Sequence, residues 1–171
     1  NTIANSYFFP WRDGNHFQLL VDSGEFYPAM LNAIENARNL ILLELYLFES
    51  GRVAERFIDA FIGAATRGVS VYLLLDDFGA RGLSRQDRKR LHSAGVQLSY
   101  YNPLHYGKLR RNLFRDHRKL LLVDGHTAFT GGAGITDNIE FIAERVDPTV
   151  LLGMPIPQPC EEFYIVYLPV G

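Results

Sequence analysis

Short apolar runs alternate with amphipathic stretches along most of this chain. The apolar runs predict strands at 16–21, 40–48, 69–75 and 96–101. The stretches between them have apolar residues at helical spacing and predict helices over about 25–38, 51–67 and 83–94. Because strands and helices alternate, the sequence predicts an α/β fold with right-handed crossovers, in which helices flank both faces of a mixed, largely parallel sheet.

The first two predicted helices each carry an apolar face. These faces comprise Phe26, Met30, Ile34 and Ala37 in the first helix and Val53, Phe57, Phe61 and Ala64 in the second. Asp22 or Ser23 is the predicted cap of the first helix. Asp76 and Asp77 follow the third predicted strand at its carboxyl end, where open α/β sheets usually bind ligands, although helix capping is the commoner use of such residues.

Residues 40–48 read LILLELYLF and are apolar on both faces, which is typical of a central strand covered on both sides. Glu44 is the exception. A buried carboxylate needs hydrogen bonds or an ion pair, so Glu44 either partners a buried donor or orients a base in an active site. We favour the structural role.

Residues 116–137 read DHRKLLLVDGHTAFTGGAGITD and place polar groups within an apolar strand pattern. His117 and Lys119 are two residues apart, so both side chains leave the same face of a strand while Arg118 leaves the other. Lysine neutralises phosphoryl oxygens, and imidazole acts as a nucleophile or proton carrier near neutral pH. The pair therefore indicates a phosphate site.

A tight turn at Asp124 ends this strand and predicts a hairpin. The hairpin leads to Gly131, Gly132 and Gly134, whose missing side chains let backbone N–H groups approach a substrate anion closely. Asp124 lies at odd spacing from His117 and projects from the opposite strand face, so a hydrogen bond within the turn is an alternative role for it.

The spacing His-x-Lys-x-x-x-x-Asp, followed after six residues by Gly-Gly, resembles the signature of the phospholipase D superfamily. The resemblance implies that His117 forms a covalent phosphohistidine, that Lys119 holds phosphate oxygens, and that Asp124 completes the catalytic motif. It implies neither a metal nor a cofactor. One departure is Gly134, where the family usually has an asparagine, so an amide that would face the phosphate is missing.

Two plainer interpretations of the same residues stand beside this one. A His-x-Lys pair on a strand is often a solvent-facing edge. Metal binding by His117, Asp124 and His126 is a second alternative, but their spacing lacks the helical i, i+4 pair or the cysteines of common zinc sites. The glycine pair in register with the three motif residues favours catalysis.

The formal net charge of −2 provides no global field to attract polyanions, so any such contact depends on a local patch. A basic run precedes the motif and consists of His105, Lys108, Arg110, Arg111 and Arg115. Because this run leads directly into the predicted phosphate site, we expect it to bind an anionic substrate, with Arg115 nearest to the motif. The aromatic residues interleaved with it suit either nucleic-acid bases or an acyl chain.

The composition, 47% hydrophobic and 21% charged, is that of an ordinary globular domain. The single cysteine, Cys160, excludes an internal disulfide and fits a reducing compartment. No apolar run reaches the roughly 18 residues of a membrane-spanning helix. Because residue 1 is Asn and not Met, we expect a trimmed or fragmentary chain. The family resemblance implies a bacterial protein that is cytoplasmic or peripheral to the membrane.

The resemblance extends over about 16–137. FQLLVDSG at 17–24, LELY at 43–46, AATRGV at 64–69 and LLDDFG at 74–79 look like the amino-terminal half of bacterial cardiolipin synthase-type enzymes. We therefore divide the chain into an amino-terminal segment 1–15, a phospholipase D-like half-domain 16–137 and a divergent tail 138–171. The tail ends in the β-prone run FYIVYL, which is an edge strand, a partner-binding strand or an aberrant terminus.

The resemblance implies phosphodiester hydrolysis or phosphatidyl transfer on phospholipids, with the membrane surface as a further partner. The chain holds one His-x-Lys, whereas acid–base chemistry needs a second group to protonate the leaving alcohol. A second motif is therefore expected from a homodimer partner or, as we favour, from an absent carboxyl-terminal half. Two alternatives are a single-motif dimeric nuclease or phosphodiesterase, and a non-catalytic half-domain that binds lipid or nucleic acid.

Overall fold

The computed structural model of the chain describes residues 15–103, 115–139 and 163–169, the last range as backbone only. Several residues discussed above lie outside these ranges, namely His105, Lys108, Arg110, Arg111 and Cys160. Most of the predicted tail lies outside them as well.

The described elements follow one another in the order β1 Asn15–Val21, α1 Asp22–Glu35, β2 Leu40–Leu45, α2 Arg52–Thr66, β3 Ser70–Asp76, α3 Arg85–Ser93, β4 Gln97–Tyr101, β5 Lys119–Val123, β6 Thr127–Gly131 and β7 Phe163–Pro169. The predicted strands and helices are thus confirmed, with shifted ends. The predicted apolar faces of the first two helices are buried, from Phe26 to Ala64.

The first helix shows the largest shift, because it starts at Asp22 and ends at Glu35. Its first turn is held by two carboxylates. Asp22 Oδ1 accepts a hydrogen bond from Gly24 N at 2.8 Å, and Glu25 Oε2 accepts one from Val21 N at 2.8 Å. These bonds satisfy N–H groups that lack partners within the helix, so the helix begins earlier than its apolar pattern indicates.

The sheet is mixed, and its strands lie in the order β1-β7-β6-β5-β2-β3-β4. β2, β3 and β4 are parallel, as the strand–helix–strand pattern predicts. The other four pairings are antiparallel. The turn at Asp124 and Gly125 has positive φ at both residues, 52° and 73°, and reverses the chain from β5 into β6.

β7 lies inside the sheet, hydrogen-bonded to β1 on one side and to β6 on the other. The interpretation of this run as an edge strand is therefore wrong. β1 takes the edge position instead. It pairs with β7 in a register that aligns Asn15 with Pro169 and Val21 with Phe163. The tail that diverges in sequence thus supplies a strand to the same sheet.

The core lies on one face of the sheet. Alternate residues of β2, Ile41, Leu43 and Leu45, are buried there, and α1, α2 and α3 contribute side chains to the same core cluster. Leu42 and Tyr72 on the opposite face are 36% and 39% exposed. Within the described residues the three helices cover one face, so the second helical layer that the sequence predicts is not found there.

Among the described residues, no helix combines the length and the apolar character needed to cross a bilayer.

Candidate active site

The predicted phosphate-binding pair lies where the carboxyl ends of the parallel strands meet. Lys119 is the first residue of β5 and pairs with Leu45, the last residue of β2. His117 precedes it by two residues. The register that pairs Leu120 with Thr130 also brings Gly131, at the end of β6, alongside Lys119. This edge of an open α/β sheet is the usual place for a ligand.

His117 and Lys119 both contact the ring of Tyr46. The imidazole of His117 is stacked on that ring, with centroids 4.3 Å apart and planes 18° from parallel. Lys119 Nζ lies 6.0 Å from the same centroid and donates a hydrogen bond to the backbone carbonyl of His117 at 2.9 Å. The side chain of His117 is exposed. The structure therefore places the pair on one face, as the two-residue spacing predicts.

Arg118 leaves the strand on the other side and joins a carboxyl pair. Its Nε lies 3.4 Å from Glu44 Oε1 and 3.2 Å from Asp116 Oδ1. A hydrogen bond with Asp116 raises the pKa of Glu44, and burial and the charge of Asp116 raise it further. Glu44 therefore holds a proton more readily than Asp116 does. It acts here as a partner within a polar cluster beside the motif, in agreement with the structural role that we favour for it.

Asp76 ties the end of β3 to the residue before His117. It is almost fully buried, at 1% exposure. Its Oδ1 accepts hydrogen bonds from Phe78 N at 2.9 Å and Gly79 N at 3.1 Å, and its Oδ2 accepts one from Asp116 N at 3.2 Å. A buried carboxylate with three backbone donors is well stabilised, so it fixes the backbone that leads into the motif.

Arg115 is placed differently from its predicted role. Its side chain is 12% exposed, and its Nη1 lies 3.6 Å from Asp76 Oδ1. The same nitrogen donates to the carbonyl of Asn102 at 3.5 Å, and the guanidinium lies 5.3 Å from the centroid of the Phe78 ring. A guanidinium held by a buried carboxylate faces the protein interior, so direct substrate binding by Arg115 gains no support from this geometry.

Asp124 lies at the far end of β5 from Lys119, roughly 16 Å away along a strand that rises about 3.3 Å per residue. Its carboxylate accepts hydrogen bonds from Arg38 N at 2.9 Å, Asn39 N at 2.8 Å and Leu40 N at 2.9 Å. Burial alone would raise the pKa of Asp124, but these three hydrogen bonds outweigh it and lower the pKa.

The geometry thus separates Asp124 from the other two motif residues. Its bonds go to the chain that enters β2, not to its own turn. Asp124 thus has a structural role, as in the alternative that its odd spacing from His117 suggests. That alternative places its hydrogen bond within the turn, whereas the observed donors are 84 to 86 residues away in sequence.

The glycines of the motif fall into two environments. Gly132 is exposed, and a Cβ built on it would have no atom within 4 Å, so its backbone borders open space. Gly134 is buried, and its carbonyl accepts a hydrogen bond from Tyr27 Oη at 2.7 Å. A Cβ at Gly134 would lie 2.7 Å from Leu47 Cβ. An asparagine has no room there, and Gly134 packs into the fold while Gly131 and Gly132 lie at the open edge.

The metal-binding alternative requires His117, Asp124 and His126 to lie close together. The structure puts His117 at one end of β5 and the other two at the opposite end. His126 Nδ1 instead lies 3.0 Å from Thr127 Oγ1. Across the described ranges, no cluster of three or more His, Cys, Asp and Glu side chains could hold a metal ion.

Tyr46 is the residue of this site that the sequence pattern did not single out. It follows β2 directly and is half-buried. The signal available in the sequence was its position, since an aromatic residue at the carboxyl end of a central strand lies at the edge where a ligand is expected. Its stacking partner lies 71 residues further along, beyond the reach of local spacing.

Comparison with known proteins identifies the family to which this chain is similar. Residues 30–140 match the family described as cardiolipin synthase, PLD-like domain. Cardiolipin synthase B of Salmonella typhimurium is 41% identical over 124 residues, which cover 71% of this chain and 30% of that protein. The probable cardiolipin synthase YwiE of Bacillus subtilis is 34% identical over 122 residues, covering 71% of this chain and 24% of that protein.

Solved structures share the fold at low sequence identity. Nuc of Salmonella typhimurium, a phospholipase D family member, has a TM-score of 0.61 at 19% identity and covers 91% of this chain and 84% of its own. The phosphatidylserine synthase of Haemophilus influenzae has a TM-score of 0.65 at 15% identity, covering 90% of this chain and 33% of its own.

The chain spans about 30% of the length of cardiolipin synthase B from Salmonella typhimurium, whereas the family match spans well over half of the chain itself. The predicted resemblance to the amino-terminal half of cardiolipin synthase-type enzymes is therefore confirmed, and the chain belongs to the cardiolipin synthase PLD-like domain family.

Proposed function

We propose that this chain supplies one half of a site for phosphodiester hydrolysis or phosphatidyl transfer on phospholipids. The observation that carries the proposal is an exposed His117 beside Lys119, at the edge where open α/β sheets usually bind ligands. Family membership supports phospholipid phosphodiester chemistry in general.

In the proposed reaction, a ring nitrogen of His117 attacks phosphorus and the bond from phosphorus to the leaving alcohol oxygen breaks. The product is a phosphohistidine, and the alcohol leaves with a proton. Water, or a second alcohol, then attacks phosphorus, the bond to His117 breaks, and the group that protonated the first alcohol takes up the proton of the attacking molecule. The Lys119 ammonium neutralises the non-bridging oxygens, and backbone N–H groups at Gly131 and Gly132 add hydrogen bonds to them.

Proton transfer requires a further group. While His117 is bound to phosphorus it cannot also protonate the leaving alcohol, so a second acid must face it across the phosphate. We infer that this acid belongs to a second His-x-Lys motif, from another copy of the chain or from a carboxyl-terminal half. We favour the second source because the chain spans about 30% of cardiolipin synthase B from Salmonella typhimurium.

A paired assay tests the proposal. The purified chain, alone and mixed with a carboxyl-terminal half of cardiolipin synthase B from Salmonella typhimurium to supply the second motif, is incubated with phosphatidylglycerol vesicles and, separately, with supercoiled plasmid, each with and without a metal chelator. His117→Asn is run as the control. Headgroup release or lipid transfer that needs His117 and survives the chelator supports the proposal. Plasmid nicking without lipid turnover supports a nuclease instead. Vesicle binding without turnover of either substrate, even with the carboxyl-terminal half added, supports a non-catalytic half-domain.

A further inference from the structure

We propose that Tyr46 is a positioning residue that orients the imidazole of His117 for attack on phosphorus. The orientation itself rests on the contact between the two rings, and its catalytic consequence rests on the function proposed above. The two rings lie nearly parallel, with centroids 4.3 Å apart. Offset or parallel stacking of this kind is a favourable arrangement of aromatic rings.

His117 needs such a contact because its side chain is exposed and it precedes Lys119, the first residue of β5 that pairs with β2. Within the described part of the chain, no side chain or backbone group hydrogen-bonds to its ring nitrogens. A free imidazole would sample several rotamers and lose that freedom on attack. Stacking restricts the ring to one plane and leaves both nitrogens accessible at its edge, which is the orientation that a nucleophile requires.

The backbone of Tyr46 packs against the turn that follows β3. A Cβ built on Gly79 would collide with the carbonyl oxygen of Tyr46, so the two backbone segments are in direct contact. Gly79 N donates to Asp76 Oδ1 at 3.1 Å, which fixes this turn. Tyr46, the ring on which His117 stacks, is therefore positioned by a turn that hydrogen-bonds to the buried carboxylate of Asp76.

The same carboxylate also fixes the chain on the other side of the stack. Asp76 Oδ2 accepts a hydrogen bond from Asp116 N at 3.2 Å, one residue before His117. Asp76 thus fixes the backbone next to both Tyr46 and His117, so these short connections set the relative position of the two rings. Lys119 Nζ, 6.0 Å from the Tyr46 centroid, lies at the limit of a cation–π contact with the same ring.

The orientation is tested first by NMR, which needs no activity. The chain has five histidines, so the ring protons of His117 are assigned by their loss in His117→Asn. In the wild type we expect these protons upfield of random-coil values, with nuclear Overhauser contacts to the Tyr46 ring. Tyr46→Phe should keep the upfield shift, and Tyr46→Leu should abolish it. Random-coil values in the wild type, or an unchanged shift in Tyr46→Leu, would overturn the inference.

The catalytic consequence is tested by kinetics on the same variants, each assayed with the carboxyl-terminal half that supplies the second motif. Tyr46→Leu should lower kcat about 10- to 100-fold with little change in KM, because misplacement of a reacting group costs rate and not ground-state binding. Tyr46→Phe should stay near the wild-type rate. Tyr72→Leu is the matched control, since Tyr72 is exposed on the opposite face of the sheet.

The two readouts separate the possible failures. Stacked rings without any lipid turnover in the wild type, even with a carboxyl-terminal half added to supply the second motif, would leave the orientation intact and refute the proposed function. Turnover that depends on His117 but is unaffected in Tyr46→Leu would refute the positioning role alone.

Discussion

Asp137 lies so close to Gly51 that no side chain fits between them. A Cβ at Gly51 would be 2.6 Å from Asp137 Oδ2. The carboxylate accepts hydrogen bonds from Arg52 N at 3.0 Å and Val53 N at 2.9 Å, so the last residue of the motif stretch caps the first turn of α2. This contact joins the segment that follows the glycine pair to the helix layer.

Gly51→Ala should therefore weaken the fold. The added methyl group displaces the Asp137 carboxylate and removes the cap, at a cost of about 1–2 kcal/mol in the free energy of unfolding. Urea denaturation of both proteins measures the difference. Gly63→Ala in the same helix is the control: its Cβ would meet Arg67 Nη1 at 3.6 Å, an ordinary contact. It should stabilise the protein by up to about 1 kcal/mol. Equal stability of Gly51→Ala and the wild type would contradict the capping role.

Asp124→Asn should lower stability at neutral pH by about 2 kcal/mol, because a charged acceptor of three backbone hydrogen bonds is lost. Since the folded pKa of Asp124 is lowered, its contribution is present above the unfolded pKa of about 3.9 and is lost as pH falls through the folded pKa. The difference between wild type and variant should thus be largest near pH 7 and shrink towards pH 3. Urea denaturation across this range measures it, and two parallel stability curves would show that the carboxylate charge contributes nothing.

Lys119→Ala should reduce lipid turnover about 100- to 1,000-fold, because a preorganised charge at the phosphate is removed. Lys119→Arg keeps the charge but changes its shape and reach, so it should restore little of the rate. Arg118→Ala is the matched control, since it removes the same charge one residue away on the other face of the strand. A near-native rate in Lys119→Ala would place that residue outside the chemistry.

The monomeric chain should be inactive, because one His-x-Lys motif cannot provide both the nucleophile and the acid. Size-exclusion fractions assayed for lipid turnover test this expectation directly. If turnover is found in a dimeric fraction, mixing wild type with His117→Asn decides how it arises: a twofold site predicts a loss greater than dilution, and a self-sufficient chain predicts a loss in proportion to dilution. Robust turnover from a monomeric fraction would refute the requirement for a second motif.

Local spacing was enough to place His117 and Lys119, because strand alternation alone decides which face a side chain leaves. The same holds for the buried helix faces, from Phe26 to Ala64, which follow from apolar periodicity. Interactions between distant parts of the chain were not predictable in this way. The three N–H groups bound by Asp124, and the ring stacked on His117, belong to residues more than 70 positions away.

Packing constraints were also hidden from the sequence. The motif spacing predicts that Gly134 belongs to a phosphate-binding element. In the structure, however, Gly134 is buried and packs against Leu47. Arg115 was predicted from a run of charge, and a buried Asp76 that lies 39 positions earlier determines where its guanidinium points. Such neighbours depend on how layers meet, which a single sequence does not reveal.

The pairing of β1 with β7 has a consequence for how the chain is synthesised. Among the described strands, β1 is hydrogen-bonded to β7 alone, and Asn15 aligns with Pro169. β1 must therefore wait for β7, roughly 140 residues later in the chain, before it gains this partner. Phe17, Leu19 and Val21 of β1 are each at least 47% exposed even in the finished sheet. An apolar strand with an open edge is prone to association with other chains. Synthesis of β7, and not growth of the core, thus ends the period during which β1 lacks its partner in the nascent chain.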